Sequence, residues 1–110
     1  MRMVSLGSVV LHVSDIARAA DFWGQALESQ YTLVHRDHNS ATFFPRSGAG
    51  VALQLNEGDQ THLDLNTDSA QENAAEIKRL ESLGARQVDW PHRPDVPVMA
   101  DPEGNLFCVC

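Results

Sequence analysis

Hydrophobic and polar residues alternate along most of this chain, and in two stretches the period lengthens from two to about 3.6. Ser8 to Val13 reads Ser-Val-Val-Leu-His-Val. As a strand it sets Val9, Leu11 and Val13 on one face and Ser8, Val10 and His12 on the other. Ile16, Ala19, Ala20, Trp23 and Leu27 then recur at helical spacing, which predicts an amphipathic helix capped by Ser14 or Asp15. Tyr31–Arg36, Ala41–Phe44 and Val51–Leu55 follow as strands, with turns at Asn39-Ser40 and from Ser47 to Gly50. The pattern then begins again. His62–Leu65 is a strand with Leu63 and Leu65 opposed by His62 and Asp64. Ala74, Ile77 and Leu80 form a second helical stripe. That stripe is opened by the capping pattern Ser69-Ala70-Gln71-Glu72 and stopped at Gly84. Arg86–Trp90, Val96–Ala100 and Leu106–Cys110 complete the set, the last two joined by the turn Asp101-Pro102-Glu103-Gly104-Asn105.

The order strand, helix, three strands therefore occurs twice. Asp15 and Leu27-Glu28-Ser29 return as Asp68 and Leu80-Glu81-Ser82, each 53 residues later. Such self-similarity predicts an α+β domain over residues 1–110, made of two βαβββ modules at about 1–57 and 58–110. The expected form is a curved mixed sheet around a cleft, with the helices on the outside. The apolar strand faces suit packing beneath those helices. The other face carries Ser8, His12, Gln54, His62 and Asp64. Burying five such groups unpartnered, at about 1–3 kcal/mol each, would cancel a domain stability of about 5–15 kcal/mol. That face is wet, internally hydrogen-bonded, or in contact with a ligand. Two readings stay open, a ligand cleft and an ordinary solvent-exposed sheet face. Parity allows Phe44, Trp90 and Met99 on either side.

Charge narrows the partners. The net charge of −7 repels phosphate backbones and anionic membrane surfaces, and no basic run is present, so nucleic acid and membrane are excluded as partners. Residues 1–7 carry no long apolar segment of the signal-peptide kind, and no run approaches the roughly 18 residues of a membrane span. Cys108 and Cys110 share one face of a strand, without the geometry for a mutual disulfide. A reduced, cytoplasmic setting is expected.

Three stretches carry a specific likeness. They are Val10-Leu11-His12-Val13-Ser14-Asp15 with Ala20-Asp21-Phe22-Trp23, His62-Leu63-Asp64-Leu65 with Arg79 to Ala85, and Asp101 to Val109. Together they resemble the vicinal-oxygen-chelate superfamily of glyoxalases, bleomycin-resistance proteins and extradiol dioxygenases, in particular its compact glyoxalase-like members. The resemblance implies that metal-dependent relatives hold a divalent ion on the first, fourth, fifth and eighth strands, as His or Gln, Glu, His and Glu. Here those positions are Ser8, Gln54 (to within one residue), His62 and Cys108. Ser and Gln are poor ligands for a catalytic divalent ion, and no Glu is present to serve as ligand and base. No cofactor and no tightly held divalent ion is expected. If one binds, His62 is its ligand.

The expected ligand-binding cleft is Ser8, His12, Gln54, His62, Asp64, Trp90 and Cys108. In it His62 is hydrogen-bonded to Asp64, water or ligand, His12 lies at the rim, and Cys108 acts as a small buried hydrophobe. Trp90, before Pro91, His92, Arg93 and Pro94, forms a wall or lid, while Trp23 belongs to the core. The implied function is small-molecule binding, of the kind that sequesters an antibiotic or metabolite. The alternative is a lyase, isomerase or dioxygenase, metal-dependent or cofactor-free, that uses His62. The resemblance further implies a homodimer.

Overall fold

The computed structural model describes residues 4–90 and 96–110. Its elements run β1 (Ser5–His12), α1 (Ile16–Ala26), β2 (Tyr31–Arg36), β3 (Ser40–Pro45), β4 (Ala52–Asn56), β5 (His62–Asn66), α2 (Ala70–Ser82), β6 (Arg86–Val88), β7 (Val98–Ala100) and β8 (Leu106–Val109). This is the α+β order expected, two βαβββ modules in succession. In the first, the strands lie β2-β3-β4-β1, with β1 parallel to β4 and the other pairs antiparallel. In the second they lie β6-β7-β8-β5, with β5 parallel to β8. The same mixed arrangement recurs, so the 53-residue offset reflects repeated topology.

Contacts divide the chain into two compact units, residues 8–61 and residues 62–110 together with the chain up to Gly7. In the 8–61 unit, Ile16 and Ala20 of α1 pack on Ala41, Phe43 and Leu55, flanked by Leu11, Val13, Trp23, Tyr31 and Leu53. The odd-numbered strand positions face the helix, as the alternation predicts. Trp23 belongs to this core, with Phe22 edge-on to it at 5.1 Å. Asp15, rather than Ser14, caps α1, its carboxylate accepting from Arg18 N at 3.1 Å. The first hairpin is fixed by Asp37, whose Oδ1 accepts from the Asn39 and Ser40 backbones and from Ser40 Oγ. Those donors, the Asn39 amide foremost, hold the carboxyl down to about 2.

In the other unit, Met99, Phe107 and Val109 form the core under α2, flanked by Val4, Leu65, Ile77, Leu80 and Ala85. Met99 thus faces the helix. Ser69 caps α2 by accepting from Glu72 N at 3.1 Å, and Glu72 in turn accepts from Asp68 N. Gly84 ends the helix at φ +111, where a side chain would be strained. Glu76 is buried on α2. It accepts from Val4 N at 2.8 Å and pairs with Arg79 at 2.7 Å, and the Arg79 hydrogen bond keeps its carboxyl below the usual range. A Cβ on Gly7 would overlap the Asn66 side chain, so a larger residue there requires Asn66 to turn aside.

Most strand ends differ from expectation by a residue, and those of β1, β6 and β7 by more. β6 stops at Val88 and β7 begins at Val98, because Pro97 has no N–H to extend the ladder. β1 starts at Ser5, ahead of the alternating run. Pro91, His92, Arg93 and Pro94 lie outside the described residues.

Candidate functional site

In the 62–110 unit, β5 and β8 turn their polar positions away from α2. His62, Asp64 and Cys108 are all buried there, Cys108 completely. Parallel pairing sets Asp64 opposite Cys108, although the two are 44 residues apart in sequence. His62 Nε2 lies 3.1 Å from Asp64 Oδ1, and the Cys108 thiol donates to the same oxygen at 2.8 Å. The ligand-type atoms of all three lie within 4.8 Å of one another.

Cys110 adds a second sulfur. β8 ends at Val109, so Cys110 leaves the strand, and its Sγ comes within 2.8 Å of Cys108 Sγ. Both cysteines are free. The hydrogen bond with Cys110, burial, and the Asp64 carboxylate together push the Cys108 thiol far above the usual range. Cys108 is therefore a buried hydrogen-bond donor held protonated, more than the small hydrophobe expected. Trp90, half-buried, joins Val98 and Leu106 around His62, and the gap between the four does not admit a water molecule.

In the 8–61 unit, Gln54 Nε2 donates to Ser8 Oγ at 3.3 Å, on the sheet face away from α1. Ladder pairing puts Gln54 beside both Val10 and Thr42. Phe44 shares that face and is 49% exposed. His12 is exposed, with Nδ1 2.9 Å from the Asp59 carbonyl and its backbone N–H donated to Thr61 Oγ1. It holds the segment leading into β5. An open groove of about 510 Å³ runs from His12 past Asp15 and Arg18 to Phe22. Sequence reasoning missed this groove, although Phe22 stands off the α1 apolar stripe. It also left Cys110 out of the expected cleft.

The residues at the four implied metal positions fit an oxygen- and nitrogen-bound catalytic ion poorly. Ser8 and Gln54 are neutral and bonded to each other, and Cys108 keeps its proton. His62, Asp64 and Cys108 make a set that could hold a metal of another kind.

No curated protein matches the chain in sequence. Among solved structures, a benzaldehyde dehydrogenase from Legionella pneumophila described as NAD-dependent is similar in fold. Its TM-score is 0.71 at 15% identity, over 93% of this chain and 95% of that one. A methylmalonyl-CoA epimerase from Streptomyces coelicolor, in complex with 2-nitronate-propionyl-CoA, gives 0.65 at 17% identity over 98% and 96%. A halotolerant catechol dioxygenase gives 0.52 at 18% identity, over 96% of this chain and 39% of that one. Identities this low speak to fold alone. Residues 8–110 match the family model of the glyoxalase-like domain, and the chain belongs to that family, within the vicinal-oxygen-chelate superfamily.

Proposed function

We propose that the protein binds and sequesters a small organic molecule, an antibiotic or a metabolite, without the family's usual catalytic metal. One observation carries this reading. The two positions that would supply ligands from the first module, Ser8 and Gln54, are neutral and engaged with each other at 3.3 Å. The expected binding residues remain Ser8, His12, Gln54, His62, Asp64, Trp90 and Cys108. In each unit taken alone, polar side chains of this set occupy the sheet face opposite the helix. The homodimer implied by the family belongs to the same reading. The apolar side chains of Leu33, Val34 and Phe44, each about half exposed on β2 and β3, support it, because β2 ends the strand order of its module.

A second reading rests on the buried His62–Asp64 pair at 3.1 Å. A carboxylate that orients an imidazole is the arrangement of a general base, which would make the protein a cofactor-free lyase or isomerase. A thermal-shift screen against a small-molecule library, with product analysis of each hit, separates the two. A ligand at about a hundred times its Kd adds about 2.7 kcal/mol, which is on the order of 10 °C in Tm for a domain this size. Sequestration predicts such a shift with the ligand recovered unchanged, and about tenfold weaker binding, about 1.4 kcal/mol, in Trp90→Ala. Conversion of the hit, abolished in His62→Ala, would replace sequestration with catalysis.

A further inference from the structure

We propose that Cys108 and Cys110 form a reversible dithiol–disulfide site, which closes a Cys-Val-Cys bridge by exchange with a small organic disulfide. Cys110 is the entering thiol, Cys108 the resolving one, and Asp64 takes the proton of Cys108. The site uses no metal and rests on different observations from the sequestration reading, so each can fail without the other.

The geometry comes from the end of β8. Strict alternation along a strand would hold the two sulfurs on one face without disulfide geometry, as the sequence alone implies. β8 instead ends at Val109, and the two Sγ atoms lie 2.8 Å apart, which leaves about 0.8 Å to close to the length of a disulfide bond. The backbone holds them there. Val109 N–H donates to the Pro97 carbonyl at 3.0 Å, and the Val109 carbonyl accepts from Asn73 Nδ2 at 3.0 Å. Cys110 N–H donates to the Leu65 carbonyl at 2.7 Å, and the Cys110 carbonyl accepts from the Thr67 backbone and hydroxyl at 3.1 and 3.0 Å. Closing the bridge therefore orders little new chain, and the neighbouring thiol outcompetes one arriving from solution.

Access to the two thiols is unequal. Cys110 is exposed and lines an open groove of about 480 Å³ with Thr67, Asn73 and Pro97. Cys108 is fully buried, its thiol donating to Asp64 Oδ1 at 2.8 Å. A disulfide RS–SR thus meets Cys110 first. The Cys110 sulfur, its proton given to solvent, attacks one sulfur of RS–SR. The S–S bond breaks, one RS⁻ leaves and takes up a proton, and the mixed disulfide Cys110–S–SR stays in the groove. Cys108 Sγ then attacks the Cys110 sulfur and the bond to SR breaks. The Cys108 proton passes to Asp64 Oδ1 in that step and on to the departing RS⁻, so Cys108 keeps its proton until it reacts. Two protein thiols are oxidised, and one RS–SR is reduced to two RSH. The product is exposed at Cys110, and exposed disulfides are the readily reduced ones, so excess thiol reopens it.

The reduced full chain, mixed anaerobically with excess 2-hydroxyethyl disulfide and followed by intact and peptide mass analysis, tests the site. The expected product is a single covalent chain lighter by two hydrogens, with Cys108 linked to Cys110, and excess dithiothreitol restores both thiols. Cys108→Ser stops at the mixed disulfide on Cys110. Cys110→Ser, an exposed position where the fold should survive, reacts at least about tenfold more slowly, because only the buried thiol remains. Asp64→Asn accumulates the mixed disulfide, its ring closure at least about tenfold slower without the proton acceptor. Circular dichroism of each variant establishes that it is folded. A mixed disulfide that persists in the wild type, a main product that links two chains, no reaction of the folded chain, or wild-type rates in folded Cys110→Ser or Asp64→Asn would each overturn the proposal.

Discussion

Asp64 Oδ1 is approached by an imidazole nitrogen and a thiol at once, and that sharing makes the two cysteines chemically unequal. Cys108 is fully buried and its thiol is raised far above the usual range, first by its hydrogen bond with Cys110 and then by burial, whereas Cys110 is exposed. Alkylation of the native protein should label Cys110 quickly and leave Cys108 unmodified until unfolding, which peptide mass analysis will read directly. A raised thiol pKa also fixes the direction of the pH effect. Its contribution to stability is complete below the ordinary value of 9.0 and is lost as pH rises beyond it, because the unfolded chain gives up a proton that the folded one keeps. Urea midpoints should therefore fall between about pH 8 and about pH 10 in the wild type and fall less in Cys108→Ala. Equal slopes would refute the assignment. The sequence showed that His62 and Asp64 share a face, since alternation reaches two residues along a strand. It did not show that Cys110 joins them, because that depends on where β8 ends.

Among the elements, the adjacent pair Phe43 and Phe44 shows how far parity reaches. Phe43 is buried under α1 and Phe44 is 49% exposed. Phe43→Ala should cost about 3–5 kcal/mol, and Phe44→Ala within about 0.5 kcal/mol, as measured by denaturant titration at low protein concentration. Similar costs for the two would mean that β3 lies in another register. Helix starts were legible because capping is local chemistry. Asp15 and Ser69 each meet the amide three residues on; the sequence names Ser69 and gives Asp15 as one of two adjacent candidates. Strand limits were less so. Met99 could be placed under α2 only once β7 was paired to β8 through Phe107, a contact no local rule encodes.

For the molecule as a whole, the duplicated βαβββ order was legible from periodicity and the 53-residue offset, whereas assembly was not, since no strand carries a plain interface stripe in sequence. Sedimentation at tens of micromolar protein should return twice the chain mass if Leu33, Val34 and Phe44 cover one another or an equivalent surface in a homodimer. A single-chain mass would reject that part of the proposal. The strand Ser5–His12 has a different kind of consequence. Its opening residues, with Val4 just ahead of them, cohere with 62–110, through the Val4 amide on Glu76 and the close pass of Gly7 over Asn66, while the rest belongs to 8–61. The stretch that repeats and the stretch that coheres are thus offset. A gene divided at the midpoint would strand Glu76 without the Val4 donor. A circular permutant that joins the two termini and opens between residues 61 and 62 would instead make each compact unit one uninterrupted run of chain.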